Sequence, residues 1–302
     1  MSRRVEQKAK ARERIAAQLA AQQRAERRRR LLLALGAVVV VIVIVGGLVT
    51  IRLVGGGKKN DATGASGVAS AEIVSALKSV PESTFAAVGT AGVQAGPSAI
   101  TAPALTANGK PKMLYFGAEY CPFCAAERWP VTVALSRFGT FSNLGTTHSA
   151  SADVYPNTAT LSFHGATYTS QYLSFTGVEE LSNVPAGNSY EPLDTPTAED
   201  QKIVETYNKP PYVQGDGGSI PFVDLGGKFV SAGASYSPDL LAGKTQAQIA
   251  DSLKDPNSPI AKAVVGSANV YTAAICAMTN NQPANVCSTD TVKSAAAKLG
   301  KS

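Results

Sequence analysis

A long uncharged segment near the N-terminus divides this chain of 302 residues into two unequal parts. Residues 31–51 read LLLALGAVVVVIVIVGGLVTI and contain no charged side chain. A helix of about 21 residues rises roughly 30 Å, which matches the hydrocarbon core of a bilayer. We therefore expect one transmembrane helix over residues 31–54, embedded in the lipid bilayer. The alternatives are a buried core helix and a cleaved signal peptide, whose apolar region is usually shorter, at ~7–15 residues.

The charges that flank this segment predict its orientation. Residues 1–30 hold eleven Lys/Arg and three Glu, and four consecutive arginines directly precede the apolar run. Such an excess of positive charge marks the cytoplasmic side of a membrane. We therefore expect a basic cytoplasmic tail over 1–30, a flexible Gly/Ser-rich linker over 55–70 and an extracytoplasmic domain over 71–302. The protein would then be a single-pass protein of the cell membrane.

The remainder of the chain has a composition that excludes several classes of function. Residues 60–302 hold fourteen Lys/Arg and nineteen Asp/Glu, so this part is mildly acidic and a poor candidate for binding nucleic acid. The chain has only two histidines, His148 and His164, which excludes a His-rich metal site. We expect no metal and no cofactor, and nucleic acid is not expected among the partners.

Hydrophobic periodicity predicts a mixed α/β domain. We expect a kink or a break at Pro130, because proline removes a backbone donor from a helix. A turn-rich segment is expected over 185–196. The pattern predicts strands over 112–116, 144–150, 158–163 and 166–175, a hairpin that begins at Ile220, and helices over 70–79, 121–138, 197–208, 245–254, 258–278 and 288–300.

The motif CPFC, formed by Cys121 and Cys124, lies between the predicted strand 112–116 and a helix. The amides and dipole at a helix N-terminus stabilise a thiolate, and the thiolate is the nucleophile in disulfide exchange. We therefore assign Cys121 as the nucleophile and Cys124 as the resolving thiol. The alternatives are an inert structural disulfide and half of a metal site.

Two segments resemble the thioredoxin superfamily: residues 115–124, YFGAEYCPFC, and residues 219–223, SIPFV. The resemblance implies a thioredoxin-like domain in which Pro221 is a cis-proline that faces the CxxC motif. It also implies that Ile220 and Pro221 receive the backbone of the substrate. With its single expected anchor, the chain further resembles an uncharacterised family of membrane-anchored, extracytoplasmic thioredoxin-like proteins of actinobacteria and archaea.

The chain departs from the thioredoxin pattern in two ways. Thioredoxin keeps a buried acid six residues before the first cysteine, where this chain has Tyr115. Glu119 and Glu127 are the candidates to replace that acid. In addition, about 97 residues separate Cys124 from Pro221, so we expect a β-rich insertion between the CxxC helix and the cis-proline strand.

Aromatic residues flank the expected nucleophile. Tyr120 and Phe123 are candidates for an apolar platform that binds the substrate, and packing in the core is the alternative for each of them.

A second pair of cysteines, Cys276 and Cys287, lies near the C-terminus. In an oxidising compartment we expect these two residues to form a structural disulfide. The alternatives are a relay that exchanges with Cys121 and Cys124, and a zinc site that uses all four cysteines.

These features predict a membrane-anchored thiol–disulfide oxidoreductase. Its substrates would be thiols or disulfides of exported proteins, with a redox partner in the membrane as an option. The alternative is a non-catalytic thioredoxin-like binding module with two structural disulfides. A third hypothesis is a metallochaperone that binds Cu(I) through Cys121 and Cys124.

Overall fold

The structure, a computed structural model, describes residues 67–299. The tail expected over 1–30, the transmembrane helix expected over 31–54 and residues 55–66 of the expected linker lie outside the described residues. In chain order the strands are β1 (Gly67–Val68), β2 (Ser98–Ala99), β3 (Thr106–Ala107), β4 (Lys110–Gly117), β5 (Gly139–Ser142), β6 (Gly145–His148), β7 (Ala159–Ser162), β8 (Thr167–Ser170), β9 (Ser174–Glu179), β10 (Leu181–Ala186), β11 (Ser189–Pro192), β12 (Phe222–Leu225) and β13 (Phe229–Ala232). The helices are α1 (Ala71–Lys78), α2 (Glu82–Val88), α3 (Pro122–Ser136), α4 (Ala198–Tyr207), α5 (Gln246–Ser252), α6 (Pro259–Met278), α7 (Ala284–Cys287) and α8 (Asp290–Ala296), with a 3₁₀ turn over Pro238–Leu241.

A mixed sheet organises the described part of the chain, and the predicted α/β class is confirmed. Its strands follow the order β2-β13-β12-β4, and β4 also pairs with β3 and β9. The β4–β9 pair is parallel, whereas β12 runs antiparallel to both β4 and β13. Strand β4 therefore lies inside the sheet, and the CPFC motif follows its C-terminal end.

The side chains of β4 alternate between two separate hydrophobic clusters. Met113 and Tyr115 belong to the larger cluster, which α3 and α6 also build. Leu114 and Phe116 belong to the smaller one, against which residues of α4 pack. A strand that is covered on both faces has a continuous apolar sequence, and this is why β4 is recognisable in the sequence.

Helix α3 continues through Pro130, so the expected kink or break does not end it. A proline at this position removes the hydrogen bond that the carbonyl of Ala126 would accept. The hydroxyl of Tyr236 donates to that carbonyl at 2.8 Å. A tertiary hydrogen bond thus replaces the missing helical one.

The segment between α3 and α4 is built from short strands, in agreement with the expected β-rich insertion. Strand β6 pairs with both β1 and β7, and β5 pairs with β8. The strand expected over 166–175 is in fact two strands, β8 and β9, which belong to different sheets.

The segment expected to be turn-rich over 185–196 contains most of the hairpin β10–β11. Gly187 has a φ of +60° and lies in its two-residue turn, which is the Gly-Asn signal of a tight hairpin. Pro185 hides this signal, because a proline within a segment argues against a strand there.

Helix α6 is long and apolar enough to cross a membrane, and among the described residues it is the one helix of this kind. However, 89% of its most apolar window is buried inside the protein. It packs along α3, so it serves as a core helix of this fold.

Candidate functional site

The end of β4 and the start of α3 place the two thiols of the CPFC motif together. Both cysteines are free thiols, with Cys121 5% exposed and Cys124 fully buried. Cys121 is the N-cap of α3, and its Sγ accepts a hydrogen bond from the backbone N–H of Cys124 at 3.3 Å. This geometry gives one sulfur access to the helix amides and puts the other in the interior.

The pKa values of the two thiols are shifted in opposite directions. The pKa of Cys121 is lowered, first by a hydrogen bond from the Cys124 thiol, and further by the amides of Cys124 and Phe123 and the charge of Arg128. Burial raises the pKa of Cys124 well above its ordinary value. In such a pair the thiolate resides on Cys121, and Cys124 holds the proton.

The strand that begins after Pro221 brings a backbone carbonyl to the exposed side of the thiol pair. The Ile220–Pro221 peptide bond is cis. The carbonyl oxygen of Ile220 lies 3.8 Å from Cys121 Sγ. The N–H of Gly233 donates to the carbonyl of Pro221 at 2.8 Å, which fixes the segment to the end of β13. The structure therefore brings Ile220 and Pro221 next to Cys121.

A buried ion pair lies one helical turn after Cys124, and it was not identified from the sequence. Arg128 donates through Nε and Nη2 to Glu179 of β9 at 2.7 Å and 2.6 Å, and both side chains are fully buried. Its Nη2 also donates to the carbonyl of Ala118 at 2.7 Å. Such a pair is expensive to bury, so its position beside the thiols marks a functional candidate. Two adjacent charged residues, Glu127 and Arg128, inside the otherwise apolar segment AAERWPV were the signal that could have revealed it.

Tyr115 lies six residues before Cys121, and its hydroxyl points to the thiols. That hydroxyl donates to the carbonyl of Cys124 at 3.4 Å. A Cβ atom added at Gly117 would lie 2.8 Å from the Tyr115 hydroxyl and 3.0 Å from Cys124 Sγ. The space around the resolving thiol thus depends on the absence of a side chain at residue 117.

The two carboxylates proposed to replace the acid have different surroundings. Glu127 accepts hydrogen bonds from the N–H and hydroxyl of Ser235 and from Tyr271, and burial raises its pKa. These bonds tie α3 to α6 and to the segment after β13. Glu119 accepts from Ser162 at 2.6 Å and from Thr147 at 3.2 Å. The carboxylate that pairs with Arg128 is that of Glu179.

The aromatic residues next to Cys121 pair with residues of the insertion. Tyr120 stacks on Tyr190 of β11, with ring centroids 4.4 Å apart and planes within 7°. Phe123 is 40% exposed and makes an edge contact with Tyr155 at 5.9 Å. The two residues of the expected platform therefore lie at or near the surface, each with an aromatic partner.

The second cysteine pair lies at the opposite end of β12. Cys276 and Cys287 form a disulfide. It lies near the end of α6, where Met278 touches Gly226 just after β12, whereas Cys121 lies at Ile220 just before that strand. The four residues of β12 span roughly 13 Å between its two ends. The four cysteines therefore form no common zinc site in this structure, and a direct relay between the pairs is not assembled.

No cluster of three or more His, Cys, Asp or Glu side chains suited to a metal ion occurs among residues 67–299.

Comparison with known proteins gives one match. No curated protein and no solved structure matches the chain. A family model described as "Domain of unknown function (DUF929)" matches residues 98–277. The matched segment includes the CPFC motif, the β-rich insertion, Pro221 and all of helix α6 but its last residue. Because this match covers more than half of the chain, the protein belongs to the family described as Domain of unknown function (DUF929).

Proposed function

We propose that this protein is a thiol–disulfide oxidoreductase with a thioredoxin-like domain. One observation carries the proposal: a free thiol of lowered pKa caps a helix beside a buried second thiol. Its sulfur is 3.8 Å from a backbone carbonyl at the start of a strand. Together these groups provide a nucleophile, a resolving thiol and a polar backbone group beside the reacting sulfur.

The sheet arrangement supports the thioredoxin-like assignment. The motif follows β4 and opens α3, and Ile220–Pro221 directly precedes β12, which is antiparallel to β4. The insertion between these two elements carries the additional strands.

The exchange reaction uses the two thiols in sequence. The Cys121 thiolate attacks one sulfur of a substrate disulfide, and the other substrate sulfur leaves as a thiolate that takes up a proton. Cys124 then loses its proton and attacks Cys121 Sγ. The bond between Cys121 and the substrate breaks, and the second substrate thiol is released as the Cys121–Cys124 disulfide forms. Two electrons pass from the dithiol to the substrate, and the reverse sequence oxidises a substrate dithiol.

The cellular setting follows from the N-terminal region. With residues 31–54 as an anchor and 1–30 in the cytoplasm, the CPFC motif faces the extracytoplasmic side. Disulfide chemistry is available there, and the substrates would be exported proteins. A membrane redox partner of the dithiol–disulfide class would return the pair to its starting state.

Single-cysteine variants of the full chain test the proposed reaction. We expect Cys121→Ser to abolish exchange with a disulfide substrate, and Cys124→Ser to accumulate a mixed disulfide at Cys121, because the resolving attack is lost. The measurement is the mass of the protein after a reaction with glutathione disulfide. Full exchange activity in both variants would rule out the proposal.

The burial of both thiols favours a second candidate, a non-catalytic binding module with unreactive cysteines. Native alkylation separates the two functions. A catalytic Cys121 reacts with iodoacetamide in the folded protein, whereas an inert one reacts only after the protein unfolds.

A further inference from the structure

Two aromatic pairs lie beside the reactive sulfur, and both include a residue of the insertion. Tyr120 stacks on Tyr190, and Phe123 contacts Tyr155. Next to Tyr155, Val154 is 71% exposed. Backbone hydrogen bonds fix the insertion at this place: the N–H of Ala150 donates to the carbonyl of Tyr120 at 2.8 Å.

The same insertion has a one-sided charge. Residues 137–197, between α3 and α4, contain five Asp/Glu and one basic residue, Arg137. Arg137 pairs with Glu82 and the buried Glu179 pairs with Arg128, which leaves the rest of the insertion acidic.

Glu191 follows Tyr190 and is exposed. Asp153 lies beside Tyr120 through the backbone, since its N–H donates to the carbonyl of Ala150, the residue whose N–H donates to Tyr120. The loop over 209–219, which precedes Ile220, holds one lysine and one aspartate and adds no net charge.

We propose that the two aromatic pairs, with Asp153 and Glu191, form a docking surface for a cationic, cysteine-bearing segment of a substrate protein. This inference rests on the proposed exchange function and specifies its substrate class. Negative charge at the rim attracts Lys and Arg, and aromatic faces bind the same cations as well as apolar side chains. The reactive sulfur at the centre requires a cysteine in the bound segment.

The surface acts mainly before the chemical step. Complementary charge accelerates encounter, and salt screens it. A basic residue next to the substrate cysteine therefore raises the rate of mixed-disulfide formation, whereas an acidic one lowers it. The resolving attack by Cys124 takes place in the interior and does not depend on the charge of the substrate.

Matched peptides test the substrate class. Three peptides differ only in the residues that flank one cysteine, which are Lys, Ser or Glu, and the cysteine is carried as its thionitrobenzoate disulfide. The reduced, full-length protein is mixed with each peptide, and release of thionitrobenzoate is followed by its colour. We expect the Lys peptide to react about tenfold faster than the Glu peptide at low salt, with the ratio falling toward one as salt rises.

Paired variants show which acidic residues cause the preference for the Lys peptide. Asp153→Asn with Glu191→Gln should reduce the preference to about twofold or less. The matched control is Glu205→Gln with Asp290→Asn, which removes two exposed acids from α4 and α8 and should keep the preference. Tyr155→Ala with Tyr190→Ala should slow all three peptides.

The outcomes separate the two proposals. Equal rates for the three peptides, or a preference that Asp153→Asn/Glu191→Gln leaves intact, overturns the docking surface and leaves the exchange function standing. Failure to react with every peptide and with glutathione disulfide overturns the exchange function itself, and this inference with it.

Discussion

At the scale of single residues, the buried arginine beside the thiols gives a direct test of how its charge affects their acidity. Arg128 lowers the pKa of Cys121, and Glu179 neutralises its charge in the interior. Loss of Arg128 alone would leave a buried carboxylate unpaired, at a cost of about 3–5 kcal/mol. The double variant Arg128→Met/Glu179→Gln removes both charges and is the better probe.

We expect that double variant to raise the pKa of Cys121, because a positive charge that favours the thiolate is gone. Since the thiolate forms only above the pKa, alkylation should slow at neutral pH, and its rate profile should move to higher pH. The measurement is the iodoacetamide rate against pH in a Cys124→Ser background. Arg137→Met/Glu82→Gln removes an ion pair between α2 and the end of α3 and is the control. A profile that does not move would show that Arg128 has no role in thiol acidity.

Gly117 is the second residue with a specific role at the thiols. A methyl group there would meet the Tyr115 hydroxyl and Cys124 Sγ at 3.0 Å or less. We expect Gly117→Ala to cost about 1–3 kcal/mol of stability and to slow the resolving step, so that mixed disulfide accumulates. Gly96→Ala is the matched control, because its Cβ would make an ordinary 3.5 Å contact with Val270. If Gly117→Ala resolves as fast as the wild type, the crowding argument is wrong.

At the scale of elements, helix α3 depends on a bond from outside the helix. Tyr236→Phe removes the hydroxyl that donates to the Ala126 carbonyl, which Pro130 leaves without an i+4 partner. We expect a loss of about 1–3 kcal/mol in the free energy of unfolding. Tyr168→Phe should lower the free energy of unfolding by less. The hydroxyl of Tyr168 donates to the Leu135 carbonyl, and in the variant this carbonyl still accepts a hydrogen bond from the N–H of Phe138.

A double-mutant cycle tests the cause directly. Pro130→Ala restores a backbone N–H at residue 130, so Tyr236→Phe should cost less in that background than in the wild type. Urea unfolding of the wild type, the two single variants and the double variant gives the coupling free energy between residues 130 and 236. Equal costs in both backgrounds would mean that the Tyr236 bond does not compensate for the proline.

Sequence reasoning succeeded at the elements whose signals are local. Neighbouring residues determine the apolar strand β4 before the CPFC motif, the N-terminal caps of α3 and α4, and the long apolar helix α6. The hairpin β10–β11 was missed because Pro185 breaks its pattern. The Arg128–Glu179 pair was missed because it joins residues 51 positions apart, and no local pattern connects them.

At the scale of the whole molecule, the disulfide and the thiol pair lie at different ends of β12. We therefore expect Cys276→Ala/Cys287→Ala to leave exchange by Cys121 unchanged. The same variant should lose about 3 kcal/mol of stability, since the cross-link closes a loop of 11 residues. Exchange assays and urea unfolding check the two parts. Loss of exchange in a variant that remains folded would support the alternative in which Cys276 and Cys287 exchange with the CPFC motif.

A glutathione redox titration of the full-length protein, read by the alkylated mass at each cysteine, tests the central proposal most directly. We predict that Cys121 and Cys124 titrate together as a two-electron couple, while the Cys276–Cys287 disulfide stays oxidised across the same range. If Cys121 and Cys124 do not change state together, or resist both reduction and oxidation until the protein unfolds, the site is not a redox centre.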